Sequence, residues 1–147
     1  MGFSREISIS GRNTKRPGRE RLRTVLFVCS ANLDRSPTAE RLFQGWRRGW
    51  EAKSAGIMPA LDRNPVTQTL IDWADLVLVM EPDHAEYIHG HFKCDPNKMR
   101  ILDIGNKYVR GDPALIRELE EKALPILDME DRLREIWGKE HSSRKQE

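Results

Sequence analysis

Four short apolar runs, separated by stretches of helical period, constrain this chain more than any other feature. The runs are TVLFV (24–28), EAKSA (51–55), DLVLVM (75–80) and MRILDI (99–104). Each has the length of a strand rather than of a helix. After the first, PTAERLFQGWRRGW (37–50) sets Ala39, Leu42, Phe43 and Trp46 at helical spacing behind Pro37, which suits an early helical position. Short helices are expected over 65–73 and 82–91. A long helical region is expected over 112–137, kinked or broken near Pro125. Strands joined through helices run parallel, and a parallel sheet buries both of its faces. The expected fold is therefore α/β, a four-stranded parallel sheet with helices on both faces.

The 147 residues suffice for one domain with a true core, and a charged fraction of 33% suits a water-exposed surface. No apolar run approaches the ~18 residues that a membrane span requires. Two cysteines cannot build a disulfide framework, which points to a reducing, cytoplasmic setting. Residues 1–24 hold seven of the 25 Lys and Arg but only two of the 23 acids. The stretch has no hydrophobic period and lacks the apolar core of a secretory signal. The expected organisation is a disordered basic tail (1–23), an α/β domain (24–138) and a frayed C-terminal tail (139–147).

The chemistry concentrates in VLFVCSANLDRSPTAE (25–40), where Cys29 and Arg35 form C-x5-R. The bare pattern recurs at Cys94 and Arg100, so context has to decide. Open parallel sheets carry their functional crevice beyond the C-terminal ends of the strands. Cys29 ends a strand and Ser36-Pro37 opens a helix, which puts the intervening loop at that edge. Cys94 precedes a strand and falls at the opposite edge, so the second match is a coincidence. A loop formed by Ser30, Ala31, Asn32, Leu33, Asp34, Arg35 and Ser36 can curl its amides inward around a tetrahedral oxyanion. Arg35 adds a planar fork for two phosphate oxygens. The same donors favour a thiolate at Cys29, and Ser36 can donate to it. Asn32 tolerates the left-handed backbone of a tight curl.

This stretch resembles the active-site loop of the low-molecular-weight protein tyrosine phosphatases, and SAG (54–56) and ADLVLVME (74–81) resemble later strands of that family. The similarity spans about residues 24–127. It implies a sheet of four parallel strands, with a phosphate loop after the first. It also implies a phosphomonoester hydrolase acting through a cysteinyl-phosphate, without cofactor or metal, on a phosphorylated protein or a small aryl phosphate. By position, Cys29 is the nucleophile, Arg35 the phosphate clamp, Asn32 the loop stabiliser and Ser36 the partner of the thiolate.

The departures matter as much. Asp34 stands where many members have a second cysteine, so the family's intraloop disulfide cannot form; a carboxylate turned outward there would brace the loop. The general acid, which has to protonate the leaving phenol, is Asp112 in an Asp-Pro pair or else Asp103. Asp112-Pro113 is equally a good helix cap followed by proline at the first helical position. In a third register Asn106 takes the acid position and Tyr108 walls the substrate. Asp95-Pro96 precedes a strand and is excluded on topology. The stretch between SAG and ADLVLVM is short for the family, implying a shallower site, with Trp46 and Trp50 either at its rim or in packing.

Two other functions remain open on the same fold: an arsenate reductase using an external thiol, and a noncatalytic phosphate-binding or docking protein. His84, His89, His91 and Cys94 cluster in sequence, yet their spacing matches no common zinc pattern. The sequence offers no membrane partner, and nucleic-acid contacts would be confined to the basic tail.

Overall fold

All seven residues of the first strand, Arg23–Cys29 (β1), are buried. The computed structural model describes residues 23–45 and 49–146, with side chains through residue 136. The basic tail before Arg23 and the side chain of Trp46 lie outside the described residues; Arg23 itself opens β1.

The elements follow as α1 (Arg35–Phe43), β2 (Trp50–Gly56), α2 (Gln68–Trp73), β3 (Leu76–Val79), α3 (Pro82–His91), β4 (Met99–Ile101) and α4 (Pro113–Gln146). The four strands form one sheet in the order β2-β1-β3-β4, and every neighbouring pair is parallel. The expected architecture is the one observed.

Alternation along β1 divides the core. Val25, Phe27 and Cys29 pack in one layer with Phe43 of α1 and with Leu115, Leu119 and Leu127 of α4. Leu26 and Val28 pack in the other layer with Ile71 of α2 and Ile88 of α3. Full burial of each such side chain contributes about 1.5–3 kcal/mol, so β1 is stabilised from both faces at once. Phe27 and Phe43 stack with ring centroids 5.6 Å apart, which fixes α1 over β1.

Strand order places a switch point between β1 and β3. From β1 the chain crosses to β2 on one side, and from β3 it crosses to β4 on the other. The crevice between the C-terminal ends of β1 and β3 is thus open to side chains from both following loops.

Several boundaries differ from the sequence reading. Helix α1 stops at Phe43, because Gly45 turns the chain with φ 74°. Trp50 consequently opens β2 and is buried in the core, away from any substrate rim. Helix α2 begins only at Gln68, where Thr67 caps it by accepting the Leu70 amide at 3.1 Å. Asp103, with φ 60°, ends β4 early, although the amides of Leu102 and Ile104 still pair with Val79 O and Met80 O. Helix α4 runs through Pro125 without a break. That residue is exposed, so the carbonyl it leaves unpaired can be hydrated. The backbone of 139–146 continues α4, where the sequence suggested a frayed tail. Among the described residues no helix is long and apolar enough to cross a membrane.

Candidate active site

Six consecutive carbonyls determine the shape of the loop after β1. Cys29 O, Ser30 O and Ala31 O accept the amides of Ile57 (3.1 Å), Met58 (2.8 Å) and Ala60 (3.0 Å). Asn32 O accepts Arg63 Nε–H at 2.7 Å, and Leu33 O accepts Arg110 Nε–H at 2.9 Å. Asp34 O accepts the Thr38 hydroxyl at 2.7 Å. In a trans peptide the C=O and the following N–H point in opposite directions. Turning carbonyls 29–34 outward therefore turns the amides of residues 30–35 to the inner side. Among the described residues none of these six amides donates to another group. The result is a nest of donors at the start of α1, suited to an anion.

Two backbone details permit the curl. Asn32 adopts φ 57°, and its fully buried side chain ties the curl to its surroundings, Oδ1 accepting the Asn64 amide at 3.1 Å and Nδ2 donating to Ser36 and Ser54. Gly56 ends β2 directly against the loop: a Cβ there would sit 2.7 Å from Ser30 O and 2.9 Å from Asn32 N. Only glycine allows that approach.

Beneath the nest, Cys29 Sγ lies 3.0 Å from Ser36 Oγ. A polar chain sets the direction of that contact. Asn32 Nδ2 donates to Ser36 Oγ (2.9 Å) and to Ser54 Oγ (3.0 Å), and Ser54 donates onward to Glu40 Oε1 at 2.5 Å. With an oxygen lone pair thus engaged, the single Ser36 proton faces Cys29 Sγ at 3.0 Å and, at longer range, Ala55 O at 3.4 Å; given to the nearer sulfur, it can stabilise a thiolate.

Arg35 is 2% exposed, and its donors are divided. The two hydrogens of Nη1 go to Ile104 O (2.8 Å) and Glu81 Oε2 (3.0 Å), while Nη2 reaches Ser30 Oγ at 3.4 Å. Nε–H and the other Nη2 hydrogen remain as one free edge, the geometry for gripping two oxygens of one phosphoryl group.

Glu81 and His84 enter from the other side of the switch point, at the start of α3. His84 is 1% exposed, with Nδ1 accepting the Glu81 amide and Nε2 lying 3.0 Å from Ser30 Oγ. Burial, and then the Arg35 charge, push its pKa below the usual 6.5; Glu81 and Asp83 oppose the shift less strongly. The ring is neutral near pH 7. The sequence singles out His84 only within a histidine grouping whose spacing fits no common zinc pattern, and gives no role to Glu81, Ser54 or Glu40. The signal available was the switch point, which directs the residues after β3 at the loop after β1.

Asp34 turns outward, as a brace would. Its Oδ1 accepts the Arg110 amide at 3.0 Å, and the Gly111 amide donates to Thr38 Oγ1 at 2.9 Å. These bonds dock residues 110–111 on the exit of the loop, immediately before Asp112. Asp112 Oδ1 accepts the Ala114 amide at 2.9 Å, capping α4. Asp103 is exposed, and only its carbonyl is held, by Lys122 at 2.7 Å. Tyr108 turns its hydroxyl to Glu118 at 2.5 Å, and that bond raises its pKa.

Cys94 lies in the turn before β4, at the sheet edge opposite Cys29, and both thiols are free. His91 bonds Tyr87 O and stacks on the Tyr87 ring. Among the described residues no three His, Cys, Asp or Glu side chains are grouped to hold a metal ion.

A curled loop joining strand to helix at the switch point of a four-stranded parallel sheet defines the fold of the low-molecular-weight protein tyrosine phosphatases, and this chain has that fold. One such phosphatase, from T. tengcongensis, superposes with a TM-score of 0.59 at 23% identity, covering 75% of this chain and 99% of that one. The YwlE arginine phosphatase of Geobacillus stearothermophilus superposes with a TM-score of 0.54 at 27% identity, covering 74% and 96%. The tyrosine phosphatase Wzb of Escherichia coli K30 gives 0.56 at 22%, covering 74% and 98%. No family model matches the sequence, and no curated protein matches it.

Proposed function

We propose that this protein is a phosphatase that cleaves aryl phosphomonoesters, phosphotyrosine in proteins among them, through a cysteinyl-phosphate. The observation that carries the reading is the inward set of six amides above the Cys29 thiol. The amides and the free edge of Arg35 bind the phosphoryl oxygens, and the Cys29 thiolate attacks phosphorus in line with the leaving oxygen. As the P–O bond breaks, Asp112 delivers its proton to the phenolate. Water, deprotonated by Asp112, then attacks the cysteinyl-phosphate, releasing inorganic phosphate and the thiolate that Ser36 stabilises. Leu33, 43% exposed on the loop, offers an apolar wall to an aromatic leaving group. A thiol nucleophile suits the reducing cytoplasm, and the reaction uses no cofactor.

The test is turnover of an aryl phosphate in the presence of a chelator. Wild type should be active, Cys29→Ser inactive and Arg35→Lys badly impaired, because a point charge lacks the two-pronged hold. Full activity in Cys29→Ser would sink the reading. Faster release of phosphate from phosphoarginine than from phosphotyrosine would replace the aryl assignment with the substrate of the YwlE arginine phosphatase.

A further inference from the structure

One buried titratable group is left unused by this mechanism. His84 belongs to α3, and its ring closes the crevice on the side facing the loop after β1. Because Nδ1 accepts the Glu81 amide at 3.0 Å, the single proton of the neutral ring sits on Nε2. Nε2–H therefore donates to Ser30 Oγ across 3.0 Å. Arg35 Nη2 approaches the same oxygen at 3.4 Å. A hydroxyl has two acceptor sites and one proton. With both acceptor sites facing donors, the Ser30 proton is left to be given away, on the residue that directly follows the nucleophile.

We propose that His84 is a positioning residue for the phosphate site, holding the Ser30 hydroxyl as a donor to an oxygen of the bound phosphoryl group. This makes Ser30 a side-chain ligand beside its backbone amide, and it rests on the phosphate-site reading above. A lone buried histidine is more often a packing residue. Against that stands its placement: both ring nitrogens are engaged, and one of them meets a loop side chain shared with Arg35. The contribution falls on anion affinity rather than on the chemistry of the leaving group.

Two near-isosteric substitutions separate the ring's two bonds. In His84→Asn the side-chain oxygen stands where Nδ1 stood, so the bond to the Glu81 amide survives and the donor to Ser30 is lost. In His84→Gln the amide nitrogen reaches the place of Nε2, so the donor to Ser30 survives.

The measurement is the dissociation constant of inorganic phosphate by calorimetry, with thermal unfolding of each variant alongside. A single net hydrogen bond of about 0.5–1.5 kcal/mol corresponds to a loss of roughly 2–12-fold. Ser30→Ala and His84→Asn should each weaken phosphate binding within that range. Their double variant should be no weaker than Ser30→Ala alone, and His84→Gln should stay within about twofold of wild type.

Wild-type affinity in His84→Asn, or equal weakening in the Asn and Gln variants, would overturn the proposal. So would additive losses in the double variant. Binding is read without turnover, which separates the two readings. A wild type that binds phosphate but hydrolyses no ester would remove the phosphatase and leave the role of His84 standing. One that binds no phosphate would remove both.

Discussion

Asp112 has two duties open to it, and they respond differently to the same substitutions. Its Oδ1 caps α4 through the Ala114 amide, while Oδ2 makes no hydrogen bond among the described residues. One oxygen can therefore hold the helix while the other exchanges a proton. Asp112→Asn keeps the cap, since asparagine caps about as well as aspartate, but it removes the acid. Hydrolysis of esters with poorly acidic phenols should slow by ~10²–10⁴-fold, and the loss should shrink as the phenol becomes more acidic. Asp112→Ala should in addition cost ~0.5–2 kcal/mol of stability, read by denaturant unfolding. Rates are compared with Asp103→Asn, because among the described residues the Asp103 side chain makes no hydrogen bond or ion pair that would confuse the result. Equal, small effects in both Asn variants would remove Asp112 as the acid.

At the scale of elements, β2 does more for the loop than its place at the sheet edge suggests. Gly56 lets its end touch the loop, and the residues just beyond it take the carbonyls of 29, 30 and 31. Gly56→Ala places a methyl 2.7 Å from a backbone oxygen, so loop or strand has to move. The cost should be about 1–3 kcal/mol, with turnover falling further than the loss of folded protein explains. Unfolding curves and kinetics on the same samples check this. The order of strands and helices was legible in the sequence because apolar runs and helical periods are local patterns. Cys29, Arg35, Asn32 and Ser36 were legible because one strand–loop–helix junction carries them all. Ser54, Glu81 and His84 were not, since one crossover of the chain brings Ser54 to the loop and two bring Glu81 and His84, and Glu40 is tied to the site only through Ser54. The early stop of α1 was missed for a different reason: Gly45 overrode an apolar period that continues to Trp46.

For the whole molecule, the buried His84 ties folding to acidity. The unfolded chain carries this histidine at the ordinary value of 6.5, and the folded chain holds it lower. As the pH falls below 6.5 the unfolded state takes up the proton first, so stability is lost with acidification down to the folded value. His84→Gln removes that titration, and its melting temperature should fall less than that of wild type between pH 7 and 5. Parallel melting curves that keep the same separation across that range would show that His84 contributes nothing to acid sensitivity. The six outward carbonyls have a consequence of another kind. Four are held by main-chain amides, Asp34 O by the Thr38 amide as well as its hydroxyl, and two by arginine side chains, all of them outside residues 29–34, so what side chains 31 and 33 happen to be has little bearing on the cradle. Its form is inherited from the surrounding chain, and those two positions are free to diverge toward new substrates while the anion seat beneath them stays as it is.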